Sequence, residues 1–210
     1  MMPPEAARRA TGRPPLVGLT GSIAAGKSEA LAALERLGAA TLSSDAVVHD
    51  LLGSEAVAGR LAERWGDDVA PGGRVDRARV GERVFSSPEE LAWLESLLHP
   101  LVGERMAEWV VGLPPHTSLA VVEVPLLFET DMDSVFDATI AIVADDGVRA
   151  ERAAARGTEL FERRAGRQLP QAEKEARATF VVRNEGDLPE LEAKLAELLP
   201  RLAAAGSPAA

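Results

Sequence analysis

The chain has no cysteine among its 210 residues. That excludes a disulfide framework, thiol catalysis and any thiolate metal site. Lysine is scarce as well: Lys27, Lys174 and Lys194 are the only three in an arginine-rich chain. There is no surplus of positive charge. The net charge of −10 argues against nucleic acid as a partner, because a general binder needs a basic face to release counterions. Nucleotide binding stays open, since a phosphate-binding loop and a few local arginines suffice for it. No apolar run approaches membrane-spanning length, so no membrane partner is expected. His49, His99 and His116 stand far apart without ligand spacing, which leaves no histidine metal centre to propose. Internal repeats and low-complexity core segments are also missing. Met1 to Pro15 carries proline and arginine but no apolar h-region, and reads as a disordered lead-in; Ala203 to Ala210 reads as a frayed tail. The expectation is a soluble cytoplasmic protein, a monomer, of a length that suits one compact α/β domain better than two full cores.

What is present is sharper. Gly21 to Ser28 reads Gly-Ser-Ile-Ala-Ala-Gly-Lys-Ser, a complete G-x-x-x-x-G-K-S/T loop. It follows the apolar run Leu16 to Leu19 and precedes a helix-forming stretch, Glu29 to Leu37. Strand, loop and helix in that order separate a phosphate-binding loop from an ordinary glycine turn. Backbone N–H groups and the helix N-terminus converge on an anion there. Lys27 would reach the β- and γ-phosphates of ATP, and the Ser28 hydroxyl would hold Mg²⁺.

Along the chain, Leu16 to Thr20 predicts a first strand and Ala39 to Leu42 a second, with a helix between them that stops at Gly38. A run of helices follows: Ala46 to Leu52, Glu55 to Trp65, a segment capped by Asp76 that ends at Phe85, and one opened by a Ser87-Pro88-Glu89-Glu90 capping box and running through Leu98. Pro100 is expected to restart the chain into another helix to about Val111. Leu119 to Val124, Ala138 to Val143 and Phe180 to Val182 complete the strands, and Asp187 caps a closing helix. Gly147 to Arg156 and Glu159 to Gln168 read as exposed, mobile helices. Strands alternating with helices argue a parallel sheet flanked on both faces, with a helical insertion between the second and third strands.

Three groups of residues can carry chemistry. Asp45 follows the second strand, at the edge where open parallel sheets bind ligands. It can accept a substrate hydroxyl proton, or it can cap the helix starting at Ala46; one residue can do both. Glu123 ends the third strand, where a Walker-B-like carboxylate would sit, and is otherwise readable as structural. Arg149, Arg152, Arg156, Arg163, Arg164 and Arg167 crowd the region between the fourth and fifth strands. Arginine stabilises a phosphoryl group in flight bidentately, although a solvated helix face accounts for most of them. Trp65, Trp93 and Trp109 fall on helices, where packing is the expected job.

Together these residues resemble the dephospho-coenzyme A kinase family, from Leu16 to Leu202. The resemblance rests on Val17 to Ser28, Asp45-Ala46, Arg74-Val-Asp-Arg77, His99-Pro100-Leu101-Val102 and Val122-Glu-Val-Pro-Leu-Leu-Phe-Glu129. It ends with Gln168 and with Ala178-Thr-Phe-Val-Val-Arg-Asn184. It implies a three-layer P-loop kinase with a parallel sheet, a helical substrate-binding insertion (46–116) and a helical lid (147–178). The core would be 16–45, 117–146 and 179–202. It also implies transfer of the ATP γ-phosphate to the 3′-hydroxyl of dephospho-CoA, the last step of coenzyme A synthesis. Carried over by position, Ala24, Ala25, Gly26, Lys27, Ser28 and Glu29 line the ATP phosphates, and Asp45 is the catalytic carboxylate. Asn184 lies near the adenine. The segment from about His49 to Val111, with Pro125 to Phe128, would hold the CoA moiety. Departures from the family pattern are Ser22, Ala24 and Glu29 in place of glycine, glycine and threonine, and Ser43-Ser44 in place of Asp-Ala. A usual basic residue falls on Gly103, with Arg105 nearby, and the lid is a few residues shorter. The lid arginine therefore falls on Arg152 or Arg156, with Arg156 preferred because Arg156-Gly157 matches best, and Arg164 next. Rival readings are another P-loop nucleoside or nucleotide kinase, a nucleotide-dependent switch, and a binding protein without catalysis. The absence of an Asn-Lys-x-Asp segment speaks against the switch. Retention of Lys27, Ser28 and Asp45 speaks against a silent binder.

Overall fold

The computed structural model describes residues 13–154 and 166–205. In chain order its main elements are β1 (Leu16–Gly21), α1 (Lys27–Arg36), β2 (Ala40–Ser43), α2 (Ser44–Leu52), α3 (Glu55–Trp65), α4 (Arg77–Ser86) and α5 (Pro88–Val111). They continue with β3 (Ala120–Glu123), β4 (Ala138–Val143), α6 (Asp146–Ala154), α7 (Gln171–Arg177), β5 (Phe180–Arg183) and α8 (Leu188–Ala204). The chain divides into two units, Met1–Ser43 with Leu113–Ala210, and Ser44–Gly112. No helix among the described residues is long and apolar enough to cross a membrane.

In the first unit the five strands run parallel in the order β2-β3-β1-β4-β5. Burial follows that order. β1, β3 and β4 are buried at every position, whereas the edge strand β2 is half-buried and the edge strand β5 is mostly open. Inner strands of a parallel sheet covered on both faces have no solvent side, so they read as unbroken apolar runs. Val17 and Leu19 point to one face, with Ile140 and Ile142, and pack against Ala30, Ala33 and Leu34 of α1 and Leu191, Leu195 and Leu202 of α8. By strand alternation Gly18 and Thr20 face the other way. A side chain at Gly18 would run into Leu127 and Phe136, so the absence of one lets that layer close on the sheet. Arg13 to Pro15, expected in the lead-in, are instead pinned. Arg13 pairs with Asp137 at 2.9 Å and the Pro15 carbonyl accepts from Ala120 N–H, which extends the β1–β3 ladder backwards.

The second unit is helical. Asp76 caps α4 through Ala78 N–H and Arg79 N–H, and Ser87 caps α5 through Glu90 N–H. The expected capping box forms only by half. The Glu90 carboxylate takes Trp65 Nε1–H at 2.7 Å and the Arg64 guanidinium at 3.0 Å, which places α3 against the start of α5. These donors, Arg64 first, hold the Glu90 carboxyl below its usual range. Trp65 and Trp93 meet edge to face at 5.1 Å, the packing role expected of them.

Pro100 does not restart a helix, because α5 runs unbroken from Pro88 to Val111. An interior proline costs a helix about 3 kcal/mol. Leu94, Leu98, Val102 and Met106 lie on one buried face on either side of it, and burial is worth about 1.5–3 kcal/mol for each large apolar side chain. Pro100 and Ser96, whose carbonyl loses its donor, are both exposed, so water can satisfy that group. One further helix, α7, was not anticipated, and the Glu159 to Gln168 segment lies largely outside the described residues.

Candidate active site

The loop from Gly21 to Ser28 leaves the C-terminal end of β1, the strand between β3 and β4 where the strand order reverses. Crevices at such switch points are where open α/β sheets bind ligands. Two of its residues are left-handed: Ala24 at φ 61° and Gly26 at φ 96°. Alternating hand turns successive N–H groups inward to form an anion-binding nest. Gly26 is also the N-cap position of α1, and it provides no side-chain cap. The first-turn N–H groups are thus left to a ligand, as phosphate seats require. Glycine is required at 26, since a Cβ would sit 2.0 Å from Asn184 Nδ2. The family's usual glycine at position 24 is explained too, because alanine holds a left-handed conformation at a cost of about 1–2 kcal/mol.

Lys27 Nζ donates to the carbonyls of Gly21 at 3.0 Å and Ser22 at 3.3 Å, which folds the side chain back across the mouth of the loop. Ser28 is exposed in the first turn of α1, and Glu29 beside it is half-buried. Ala25 is fully buried, and its carbonyl accepts from Asn184 Nδ2 at 2.9 Å. Asn184, expected near the adenine, is itself buried and holds the phosphate loop from behind. Arg152 Nη1 donates to the Asn184 carbonyl at 3.0 Å and Nη2 to that of Gly186 at 3.5 Å, so its guanidinium is occupied in ordering this loop. Arg156, Arg163 and Arg164 lie outside the described residues.

Glu123 ends β3 beside Leu19 of β1 and Ser43 of β2, buried at the same sheet edge. Asp45 follows Ser43 by two residues along the chain and is exposed in the first turn of α2. Because that helix begins at Ser44, Asp45 does not cap a helix starting at Ala46. Among the described residues its carboxylate makes no hydrogen bond or ion pair. Nor does any group of three or more acidic or histidine side chains among them form a metal cage. Mg²⁺ commonly binds through one or two protein groups plus substrate phosphates and water, and an exposed serine beside an anion nest fits that manner of binding.

Sequence reasoning missed a second set of residues. Gln168 Oε1 accepts from Ile23 N–H at 3.0 Å, and its Nε2 donates to the Pro125 carbonyl at 3.2 Å. Lys174, with no exposed surface, donates to the same carbonyl at 3.0 Å and to Glu129 Oε1 at 2.8 Å. Burial lowers the Lys174 pKa below that of an exposed lysine, and Glu129 pulls it back part of the way by hydrogen bond and charge. The scarcity of lysine was one available signal, and the match of Gln168 and Glu129 to the family pattern was another. Between the lowered value and the ordinary one near 10.4, the folded chain binds fewer protons than the unfolded chain. The contribution of Lys174 to stability therefore rises with pH across that window. Lys174→Met should destabilise the protein by about 3–5 kcal/mol, since it strands a buried carboxylate, and adding Glu129→Leu should recover most of the loss. Urea denaturation of the single and double variants measures both.

A parallel sheet with a Walker loop on its middle strand and a lysine opening the next helix defines a P-loop nucleotide-binding protein. A model of the dephospho-CoA kinase family matches residues 15–190. The chain is 39% identical over 175 residues to the dephospho-CoA kinase of Rhizobium meliloti, covering 80% of this chain and 87% of the relative. A crystal structure from Thermus thermophilus is 34% identical with a TM-score of 0.76, covering 90% of this chain and 98% of that one. The dephospho-CoA kinase from Campylobacter jejuni shares the fold, with a TM-score of 0.67 at 23% identity over 90% of this chain and 96% of that one. The chain belongs to the dephospho-CoA kinase family of ATP-dependent kinases.

Proposed function

We propose that this chain transfers the γ-phosphate of ATP to the 3′-hydroxyl of dephospho-CoA, acting as a cytoplasmic monomer with Mg²⁺. The observation that carries the reading is the nested, uncapped loop from Gly21 to Ser28 at the switch point of the sheet. The N–H groups of Ala24 to Glu29 seat the phosphates there, with Lys27 exchanging its carbonyl partners for them and Asn184 bracing the loop through the Ala25 carbonyl. Ser28 would hold Mg²⁺, which when bound neutralises charge building on the β- and γ-phosphate oxygens. Asp45 takes the proton of the 3′-hydroxyl as that oxygen bonds to the γ-phosphorus; the bond from phosphorus to the β–γ bridging oxygen breaks and ADP leaves. The helical segment 46–116, with the turn Pro125 to Phe128, holds the CoA moiety, and residues 147–178 form the lid.

Within the lid Arg156 is the candidate for the arginine on the transferring group, and the engagement of Arg152 with the Asn184 and Gly186 carbonyls supports that choice over Arg152. Arg156→Lys should cut turnover severely, because an ammonium cannot reproduce the planar bidentate contact. Arg152→Lys should act mainly on the KM for ATP, and the reverse ranking in steady-state kinetics would move the role to Arg152. The reaction is tested by a coupled ADP-release assay with ATP, Mg²⁺ and dephospho-CoA beside nucleoside controls. Turnover on a nucleoside with none on dephospho-CoA would assign the chain to another P-loop kinase activity.

A further inference from the structure

We infer that Gln168 is a positioning residue that couples the phosphate-binding loop to the Pro125–Phe128 turn, so that nucleotide and acceptor binding reinforce each other. The inference rests on the reading that this turn lines the acceptor site. A primary amide has one acceptor end and one donor end. Gln168 uses them on two different loops: Oε1 on Ile23 N–H at 3.0 Å and Nε2 on the Pro125 carbonyl at 3.2 Å. Reversing the amide would oppose like groups at both ends, so its orientation is determined by the two backbones it joins. The Pro125 carbonyl is a shared anchor. It also accepts from Thr20 Oγ1, at the end of β1, at 3.3 Å and from Lys174 Nζ at 3.0 Å. Lys174 pairs with Glu129, at the far end of the same turn, and Glu129 Oε1 accepts Leu169 N–H at 2.8 Å. Leu169 is the neighbour of Gln168, so the bonds close a ring of Gln168, Pro125, Lys174, Glu129 and Leu169, and Gln168 reaches from that ring to the Ile23 N–H. A shift of the turn is therefore carried to Ile23, in the middle of the phosphate-binding loop.

The test is calorimetric titration of ADP with Mg²⁺ and of dephospho-CoA, each alone and in the presence of the other. It uses the wild type, Gln168→Leu and Gln168→Glu. In the wild type each ligand should tighten the other by roughly five-fold or more, within the usual range of coupling between sites. Gln168→Leu removes both bonds and should weaken ADP up to about ten-fold, since the half-buried Ile23 N–H in the phosphate loop loses the partner that orients it. It should also bring the coupling factor near one. Gln168→Glu keeps the acceptor for Ile23 but loses the donor to Pro125, so it should lose the coupling, and its added negative charge beside the phosphate loop should weaken ADP by an amount that high salt reduces. A purely structural role would lower stability without separating these quantities. A coupling factor unchanged in Gln168→Leu, or a wild-type factor of one, overturns the inference. Hydrogen exchange at the Ile23 amide gives a second reading, faster in Gln168→Leu and near wild type in Gln168→Glu; equal protection in all three also overturns it. Leu126→Ala tests the underlying reading separately: unaltered dephospho-CoA affinity removes the turn from the acceptor site, whatever Gln168 does to ADP.

Discussion

Asp45→Asn is expected to lower turnover by roughly a hundred- to ten-thousand-fold, the usual cost of removing a general base, with little change in nucleotide affinity. Asparagine keeps the size of the side chain but cannot take the 3′-hydroxyl proton. Nucleotide affinity should hold because the phosphate seat is built from the loop at Gly21 to Ser28, which Asp45 is not part of. Stability should hold as well. The carboxylate is exposed, makes no hydrogen bond or ion pair among the described residues, and sits inside the first turn of α2 rather than at its cap. All it gives the fold is a negative charge near a helix N-terminus, worth about 0.3–1 kcal/mol. Single-turnover kinetics beside a thermal melt separate the outcomes. A lowered melting temperature with near-normal turnover per folded molecule would make Asp45 a structural residue.

Lys27→Ala is expected to reduce turnover by roughly a hundred- to a thousand-fold, the range seen when one preorganised donor is removed from a developing negative charge. The ammonium now rests on the carbonyls of Gly21 and Ser22 at 3.0 and 3.3 Å. Those partners lie in the loop, so the charge is held at its mouth and no apolar core depends on it. Alanine is the best helix former, and Lys27 is the first residue of α1, so the fold should tolerate the change to within about 1 kcal/mol. Turnover assays with urea melts on the same preparation decide the matter. A variant that keeps most of its activity would remove Lys27 from the chemistry, and one that fails to fold would show that its bonds across the loop hold the loop together.

How much of this was legible depended on the distance over which each interaction acts. The caps at Asp76, Ser87 and Asp187 were readable because each side chain bonds to N–H groups within three residues of itself. The inner strands were readable because a strand buried on both faces must be apolar throughout, and the phosphate loop because its chemistry is packed into eight consecutive residues from Gly21 to Ser28. Pro100 misled because its local helix-breaking cost was visible, while the buried face of Leu94, Leu98, Val102 and Met106 that outweighs it depends on partners elsewhere. Glu90 was half legible for the same reason: its N–H serves the local cap, and its carboxylate belongs to Arg64 and Trp65 on another helix.

By itself, then, the sequence determined the phosphate seat, the alternation of strand and helix, and the residue types able to carry phosphoryl transfer. Only the tertiary structure decided what steadies that seat. Gln168 meets Ile23 across 145 residues and Asn184 meets Ala25 across 159, because five parallel strands in the order β2-β3-β1-β4-β5 bring the segments after β1, β3, β4 and β5 to one edge of the sheet. The same folding takes the charge of Lys174 out of water and gives it to Glu129 and the Pro125 carbonyl. A buried charge is stable only with partners in place, and those partners are supplied by segments that adjoin nothing but through the fold.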